Sequence, residues 1–441
     1  MWTTHKIEGA GGVGGGYEWI SESQQLASGG YTTSVAGLDV KPDGSSIVLS
    51  GSSNLTPSTP VDGQSSAQTI LLDEDGSFVI SKWNRFTLDT YSYGASVRFG
   101  GDGNIYSLSS GQPNGNGRTV YSRDETTLNF GYGNGKYVSA GYMYIGCMAG
   151  QGSMNYVFGQ WRSSSYVNID ALISSYSGAN DSSQNLVQRR SVGSNITMTF
   201  NWGHVANNTL YAVGLCSTGG ALTTYNTGGA NGIGVGLKYN NVDYQTQFYR
   251  VTTDSAGNIY TSGIAYSIPF VTKWTSGGGM VWTKQIYNAS INLSFMSLNV
   301  SPTTGDLIIS GSQSSTVGAV FISLDSSNGN INWQFGVKSS AAQYTSSNYS
   351  KIDDNGIIYG AFNVSDGAST YAKMAVIKFD SSDAVNGTFG DYVCSSTAFI
   401  SQNASYTQFF AGQTTSYAAI SSSTEAGTAG TSTINFTPIA L

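Results

Sequence analysis

This chain holds little of what catalysis, metal capture or nucleic-acid binding ordinarily uses. Of 441 residues, 19 are Lys or Arg, 26 are Asp or Glu, and only His5 and His204 are histidines. Charged residues make up 10% of the chain, against about a quarter in an average domain. With a net charge of −7, nucleic acid and anionic membrane are excluded as main partners, because both reward clustered cations. The one basic pair, Arg189-Arg190, reads as loop charge. Cys147, Cys216 and Cys394 are odd in number and far apart, so they read as small buried hydrophobes, not a disulfide framework. Only seven residues are proline, which together with low charge argues against a disordered chain. No apolar run is long enough to cross a membrane as a helix, and no stretch keeps a helical period, so little helix is expected. Residues 1–10 lack the apolar core of a secretion leader. The expectation is a protein that works outside a cell without using that route, as a virion protein released by lysis does.

Glycine (57) and tyrosine (28) are abundant, and Thr, Ile and Val occur in short runs that favour sheet. A phrase recurs at intervals of about fifty residues. Residues 251–263 are the clearest copy; 298–311, 351–360 and 38–51 repeat it. Each is a short apolar segment, a polar turn with Gly, and a β-branched or aromatic run ending in small residues, which is a hairpin. The turn glycines Gly257, Gly305 and Gly356 are 48 and 51 residues apart, and Gly44 and Gly103 are 59 apart. Asn208 marks a further copy, since Asn tolerates positive φ. The 105 residues between Gly103 and Asn208 leave room for a degenerate unit, placed at about residues 140–160.

A second phrase follows the first, best seen at 319–334 and matched at 270–283, 70–80 and 375–382. Two hairpins per unit give four strands, the signature of propeller blades. These phrases resemble the bacterial SBBP propeller repeats and, more loosely, the PQQ-type repeats. The resemblance implies an all-β β-propeller. The spacing points to seven four-stranded blades, with six to eight compatible, closed by a terminal strand. Trp282 and Trp333 stand late in their units, where PQQ-type blades carry a Trp. Other units lack one, so no quinone or other cofactor is expected. Residues 1–30 read as a Gly-rich arm, 31–395 as the repeats, and 396–441 as strands that close the ring or touch a neighbouring subunit. The strand words at 406–412 and 432–439 flank a small-residue linker at 421–431, and one of the two is expected to pair with N-terminal strands.

Candidate chemistry is sparse. A nucleophile needs a positioned base, and His204 is the sole candidate. Asp73, Glu74 and Asp75, and Asp353 with Asp354, could form carboxylate pairs, but they lie in turns that favour Asp as a local cap. Asp73, Asp75, Asp325 and Asn328 offer oxygen ligands for calcium, without a full loop. The Gly-rich runs at 9–16 and 229–236 lack a phosphate loop's Lys and helix. Tyr142, Tyr144, Trp161, Tyr166 and Trp202 could stack on sugar rings.

By exclusion, no catalytic residue, metal or cofactor is expected. The expected role is a non-enzymatic structural or adhesion component of a bacteriophage particle, on the tail, baseplate or capsid surface. It would be present in several copies, joined to other virion proteins and touching host surface polysaccharide, with no nucleic acid and no membrane insertion. The alternatives are a secreted or cell-surface lectin-like propeller and a propeller glycan hydrolase or lyase.

Overall fold

The computed structural model describes residues 2–6, 19–23, 33–53, 66–84, 92–111, 118–124, 130–137, 141–163, 169–177, 187–190, 198–227, 231–240, 245–288, 293–313, 318–339, 344–365, 372–382, 384–389, 392–403, 405–410 and 415–416. Among them there is no helix, and every sheet pairing is antiparallel. The strands form seven sheets. The first holds Thr33–Val40, Ser46–Ser53, Ser66–Asp73 and Phe78–Asn84, and the second Ser92–Phe99, Ile105–Gly111, Arg118–Asp124 and Phe130–Tyr137. The third is built on Gly141–Gln151, Met154–Ser163, Ile169–Ser177 and Val187–Arg190, and the fourth on Met198–Ala206, Thr209–Cys216, Gly219–Asn226 and Asn231–Tyr239. Thr246–Thr253, Ile259–Ala265, Ile268–Trp274 and Met280–Tyr287 make the fifth; Leu293–Val300, Leu307–Gln313, Gly318–Leu324 and Ile331–Ser339 the sixth. The seventh begins with Tyr344–Ile352, Ile357–Ser365 and Ala372–Asp380.

The first strand of each sheet packs on the first strand of the next, and that of the seventh packs on that of the first. The arrangement is therefore a closed, propeller-like ring. Its apolar core is divided among the seams between sheets. Phe248, Phe270 and Trp274 fill the seam between the fourth and fifth; Phe321, Phe335, Phe362 and Phe379 fill that between the sixth and seventh. Each seam also carries a polar tie. Near the axis, Asp39 Oδ2 accepts from Phe99 N at 2.7 Å, Gly203 N donates to Cys147 Sγ at 3.0 Å, and Asn201 Nδ2 donates to Phe248 O at 2.8 Å. Ser350 N donates to Ser297 Oγ at 2.9 Å, and Val35 N to Asn363 Oδ1 at 2.7 Å.

The turn reading holds in each unit. The first hairpin of every sheet turns through a residue at positive φ: Gly44, Gly103, Gly152, Asn207 with Asn208, Gly257, Gly305 and Gly356. The degenerate copy is the Gly141–Gln151 and Met154–Ser163 hairpin. The acidic residues of the phrase are structural. Asp353 is buried and accepts from Asn355 N and Ile357 N. Asp102 and Asp254 accept from the hydroxyls of Tyr106 and Tyr260 at 2.6 and 2.9 Å.

The termini behave differently from the expectation. Tyr406–Phe410 pairs with Asn231–Tyr239, not with an N-terminal strand. The words at 9–16, 421–431 and 432–439 lie outside the described residues. The seventh sheet is completed by Trp19–Ser23 on Ala372–Asp380, with Trp2–Lys6 outside it. The physical reason is local complementarity. Trp19 and Ile20 bury one on each face, into the seams with the first and sixth sheets. Glu22 pairs with Lys373 at 3.0 Å and accepts from Tyr392 OH at 2.6 Å. Trp19 lies over the turn of the first sheet, where a Cβ on Gly76 would meet its ring at 2.6 Å. Late tryptophans secure two other seams: Trp282 Nε1 donates to Ser326 O at 3.3 Å and Trp333 Nε1 to Ser381 O at 3.1 Å.

The chain beyond the seventh sheet travels back around the rim. Tyr392–Ser396 pairs with the outer strand of the sixth sheet, Ile400–Asn403 with that of the fifth, Tyr406–Phe410 with the fourth and Thr415–Ser416 with the third. Tyr392, Phe399 and Tyr406, seven residues apart, are the buried anchors. This belt covers edges that would otherwise pair with other chains.

Two outcomes follow. Trp19→Ala costs about 3–5 kcal/mol, as for other buried tryptophans, measured by denaturant unfolding. A chain stopped after Gly390 aggregates with rising concentration in light scattering while keeping its β-sheet circular dichroism; a monodisperse truncated protein would show the belt to be dispensable for edge protection.

Candidate functional site

Seven first strands surround the axis, and every one carries a bulge. The register against the second strand shifts between Val35 and Gly37, Gly94 and Ser96, Ile145 and Cys147, Phe200 and Trp202, Phe248 and Arg250, Phe295 and Ser297, and Ser346 and Tyr349. A bulge adds a residue to one strand and re-aims the side chains after it. Here it turns the following residues toward the axis, where they line a cavity of 620 Å³. Side chains then alternate with the strand period of two. One layer holds Gly37, Ser96, Trp202, Arg250, Ser297 and Tyr349. The next holds Asp39, Arg98, Ala149, His204, Thr252, Asn299 and Lys351. Lys41, Pro42, Gly101 and Gly103 stand at the level of the hairpin turns.

The well has a definite charge pattern. Asp39 faces Lys351 at 3.4 Å and receives Phe99 N. Arg98 donates to Met154 O and Gly152 O, both at 2.9 Å, and to Asn155 Oδ1 at 2.6 Å. The Arg250 guanidinium lies 3.9 Å from the Trp202 ring centroid, a cation–π stack, and donates to Tyr249 O at 2.8 Å. Burial lowers the Arg250 pKa, with Tyr349, Cys147 and Tyr249 acting against that shift. Lys41 sits 5.8 Å from the Phe99 ring centroid. Asn299 Nδ2 donates to Ser350 O and Oγ, each at 3.0 Å.

His204 Nε2 lies 3.2 Å from Thr253 Oγ1, and its ring is tilted against Tyr211. Burial, then the charge of Lys351, pushes its pKa down to about 4. It is therefore neutral near pH 7. Cys147 accepts from Gly203 N, and burial pushes its thiol up to about 12. That is the setting of an inert thiol, not a nucleophile.

The other sequence candidates do not converge here. Asp73 and Asp75 share a turn of the first sheet, where both accept from Ser77 N. Burial and then Asp75 raise the Asp73 carboxyl above its ordinary range. Asp325 and Asn328 share a turn of the sixth sheet, with Asn328 Nδ2 donating to Asp325 Oδ2 at 2.6 Å. Among the described residues no group of three or more His, Cys, Asp or Glu is gathered as a metal site needs. Tyr142, Tyr144 and Trp161 lie on the first hairpin of the third sheet, in register as Tyr142 with Arg162 and Met143 with Trp161. Tyr166 lies outside the described residues. Of the proposed aromatic group, Trp202 is the one found among the described lining residues of the well. Asp39, Arg98, Arg250, Asn299, Tyr349 and Lys351 were missed. Asp39, Arg98, Asn299 and Lys351 stand two places after the bulge of their strands, and Arg250 and Tyr349 stand at it.

No family model matches the chain, and no curated protein matches it. Solved structures resemble it distantly. One of two prolyl endopeptidases studied for inter-domain dynamics in catalysis and specificity shares 10% identity at TM-score 0.38, over 76% of this chain and 47% of its own. Prolyl oligopeptidase B from Galerina marginata shares 8% at TM-score 0.40, over 76% and 47%. A protein of unknown function from Dyadobacter fermentans DSM 18053 shares 10% at TM-score 0.40, over 82% and 99%. This chain spans about half the length of the two peptidases. At these values, their chemistry is not carried over.

The His204 shift has a testable sign. Its folded pKa of about 4 lies below the value of about 6.5 in an unfolded chain. Between those values the unfolded state binds more protons, so stability falls as pH drops through the window. In urea titrations, His204→Asn should lose less stability than the parent between pH 6.5 and pH 4. An NMR midpoint for His204 near 6.5 would contradict the burial.

Proposed function

We propose that the protein is a seven-bladed β-propeller acting as a non-enzymatic recognition and building component of a bacteriophage particle. It sits on the tail, baseplate or capsid surface in several copies, beside other virion proteins. Its axial well meets host surface glycan. The observation that supports this reading is the composition of the well. Its lining supplies cations, an aromatic face, an amide and hydroxyls, the groups that hold a polar ligand. Among the described lining residues, Asp39 is the one carboxylate, and it is already engaged by Lys351 and Phe99 N. Hydrolysis by paired carboxylates needs a second. The closed ring and its belted rim, in a chain poor in charge and rich in Gly and Tyr, suit a part that must persist outside a cell.

The test is quantitative mass spectrometry of purified particles, with this chain expected at a fixed copy number relative to the major capsid protein. Recovery only from a bacterial envelope or culture supernatant would replace the particle role with the lectin-like one. Release of reducing ends from a polysaccharide, lost in Asp39→Asn, would overturn the non-enzymatic reading.

A further inference from the structure

One turn of the fifth sheet carries residues that its backbone disfavours. Ile259–Ala265 and Ile268–Trp274 are joined by only Tyr266 and Ser267, with Ala265 opposite Ile268. The φ angles of the two turn residues are 49° and 67°. A two-residue hairpin of this kind needs left-handed backbone at both places, and Asn-Gly or Gly-Gly is its usual filling. A tyrosine there brings its Cβ close to the following carbonyl oxygen, with no short polar side chain to offset the contact. Every other left-handed position among the described residues is held by Gly or Asn. A bulky side chain kept at such a place, and held there by its surroundings, points to a use for that side chain.

The surroundings do hold it. Tyr266 N donates to Gln245 O at 3.2 Å. The Tyr266 ring stands edge-on to Tyr239, with centroids 5.6 Å apart and planes at 66°. Tyr239 packs on Tyr406 at 5.1 Å, Tyr406 on Phe270 at 5.0 Å, and Phe270 on Phe248 at 5.6 Å. A file of five rings thus runs from the seam between the fourth and fifth sheets out to the surface. Its last member, Tyr266, is 46% exposed. The inner rings brace it, so a ligand meets a platform that is already ordered. Asn240, Gln245 and Ser267 are exposed at the same corner. Asn240 follows Tyr239, Gln245 is tied to Tyr266 through the backbone, and Ser267 shares the turn. These three and the two outer tyrosines include no carboxylate, ammonium or guanidinium. Amides and hydroxyls both donate and accept. A ring flanked by such groups suits a neutral pyranose, whose C–H face lies on the aromatic ring while its edge hydroxyls bond the amides.

We propose that Tyr266, braced by Tyr239, is the stacking platform of a second saccharide site, for a neutral hexopyranose of the galactose type. Asn240, Gln245 and Ser267 meet its hydroxyls. In galactose the hydrogens on C3, C4 and C5 share one face, which gives the sugar a broad apolar contact. The site is separate from the axial well. The well reaches the level of the first-hairpin turns, whereas the Tyr266 turn stands at the other end of the fifth sheet. It adds a contact to the glycan-binding role proposed above and is tested apart from it.

The experiment is saturation-transfer NMR on the whole chain with methyl β-galactopyranoside, with the open-chain polyol galactitol and with tetraproline. Transfer should be strongest to the hydrogens on C3, C4 and C5 of the pyranoside and weak to galactitol, which has the hydroxyls without the ring face. Tyr266→Phe should keep the signal, because the ring is what stacks. Tyr266→Asn combined with Ser267→Gly gives the turn its preferred residues, so the fold and its thermal midpoint should hold while affinity drops about tenfold with loss of the ring. Unchanged affinity in that double variant would overturn the site. Equal transfer to galactitol would overturn the stacking. Transfer to tetraproline alone would put a proline-rich peptide in place of the sugar and overturn the assignment. Asn299→Ala, a change in the well, should leave the signal intact. Loss of signal in Asn299→Ala but not in the turn variant would move the sugar to the well, overturning this site while supporting the earlier reading. If no probe shows transfer while the chain is still counted in particles, the inference fails and the particle role survives.

Discussion

The described central strands of these sheets are buried on both faces, and neither face can be left to water. Gly318–Leu324 shows the constraint in one strand: all seven of its residues are buried. A strand buried on both sides needs a neighbour on both sides. A row of such sheets would always leave two bare faces, and only a ring leaves none. Closure is therefore a condition of solubility. It explains why Trp19, the largest fully buried side chain near the N-terminus, is placed at the seam between the seventh and first sheets. It also explains why Glu22, 351 residues from Lys373 in the chain, is held there by an ion pair and a tyrosine hydroxyl.

Much of the fold was legible because its punctuation is chemical. A two-hairpin unit needs a left-handed residue in its turn, and glycine or asparagine marks that place at Gly44, Gly257 or Asn208. The acids beside those turns were legible for the same reason. A carboxylate that caps Asn258 N and takes the Tyr260 hydroxyl is a turn component. Burial tends to raise Asp254, and these hydrogen bonds outweigh it and hold the carboxyl below its ordinary value. The closing strand was not legible. Trp19–Ser23 is five residues long, and nothing in its own spacing reveals a partner more than 350 positions away. The belt was hidden too, because its anchors Tyr392, Phe399 and Tyr406 recur at a step too short for a hairpin pattern and its short strands each pair with a different sheet.

The well escaped for a further reason. Which side chains face the axis depends on a bulge, and a bulge shifts the alternation by one without leaving a residue type that announces it. Trp202 and Arg250 occupy equivalent places after the bulge in consecutive sheets. In the sequence they are simply a tryptophan and an arginine 48 residues apart. Only the ring puts the guanidinium on the indole. The same geometry places Asp39 against Lys351 across the join between the seventh and first sheets. The lining of the well thus comes together only in the closed molecule.

The belt runs opposite to the order in which the sheets were made, and this gives the ring a mechanical polarity. A load applied beyond Ser416 meets the third sheet first, then the fourth, fifth and sixth, and each short antiparallel strand is peeled from its end like a zipper. The strands begin at Tyr392, Ile400, Tyr406 and Thr415, so each step frees roughly 20–30 Å of contour at about 3.4 Å per residue. A sudden tug is thereby converted into a series of small ruptures, and the tryptophan-backed seam at Trp19 is reached only after the last of them.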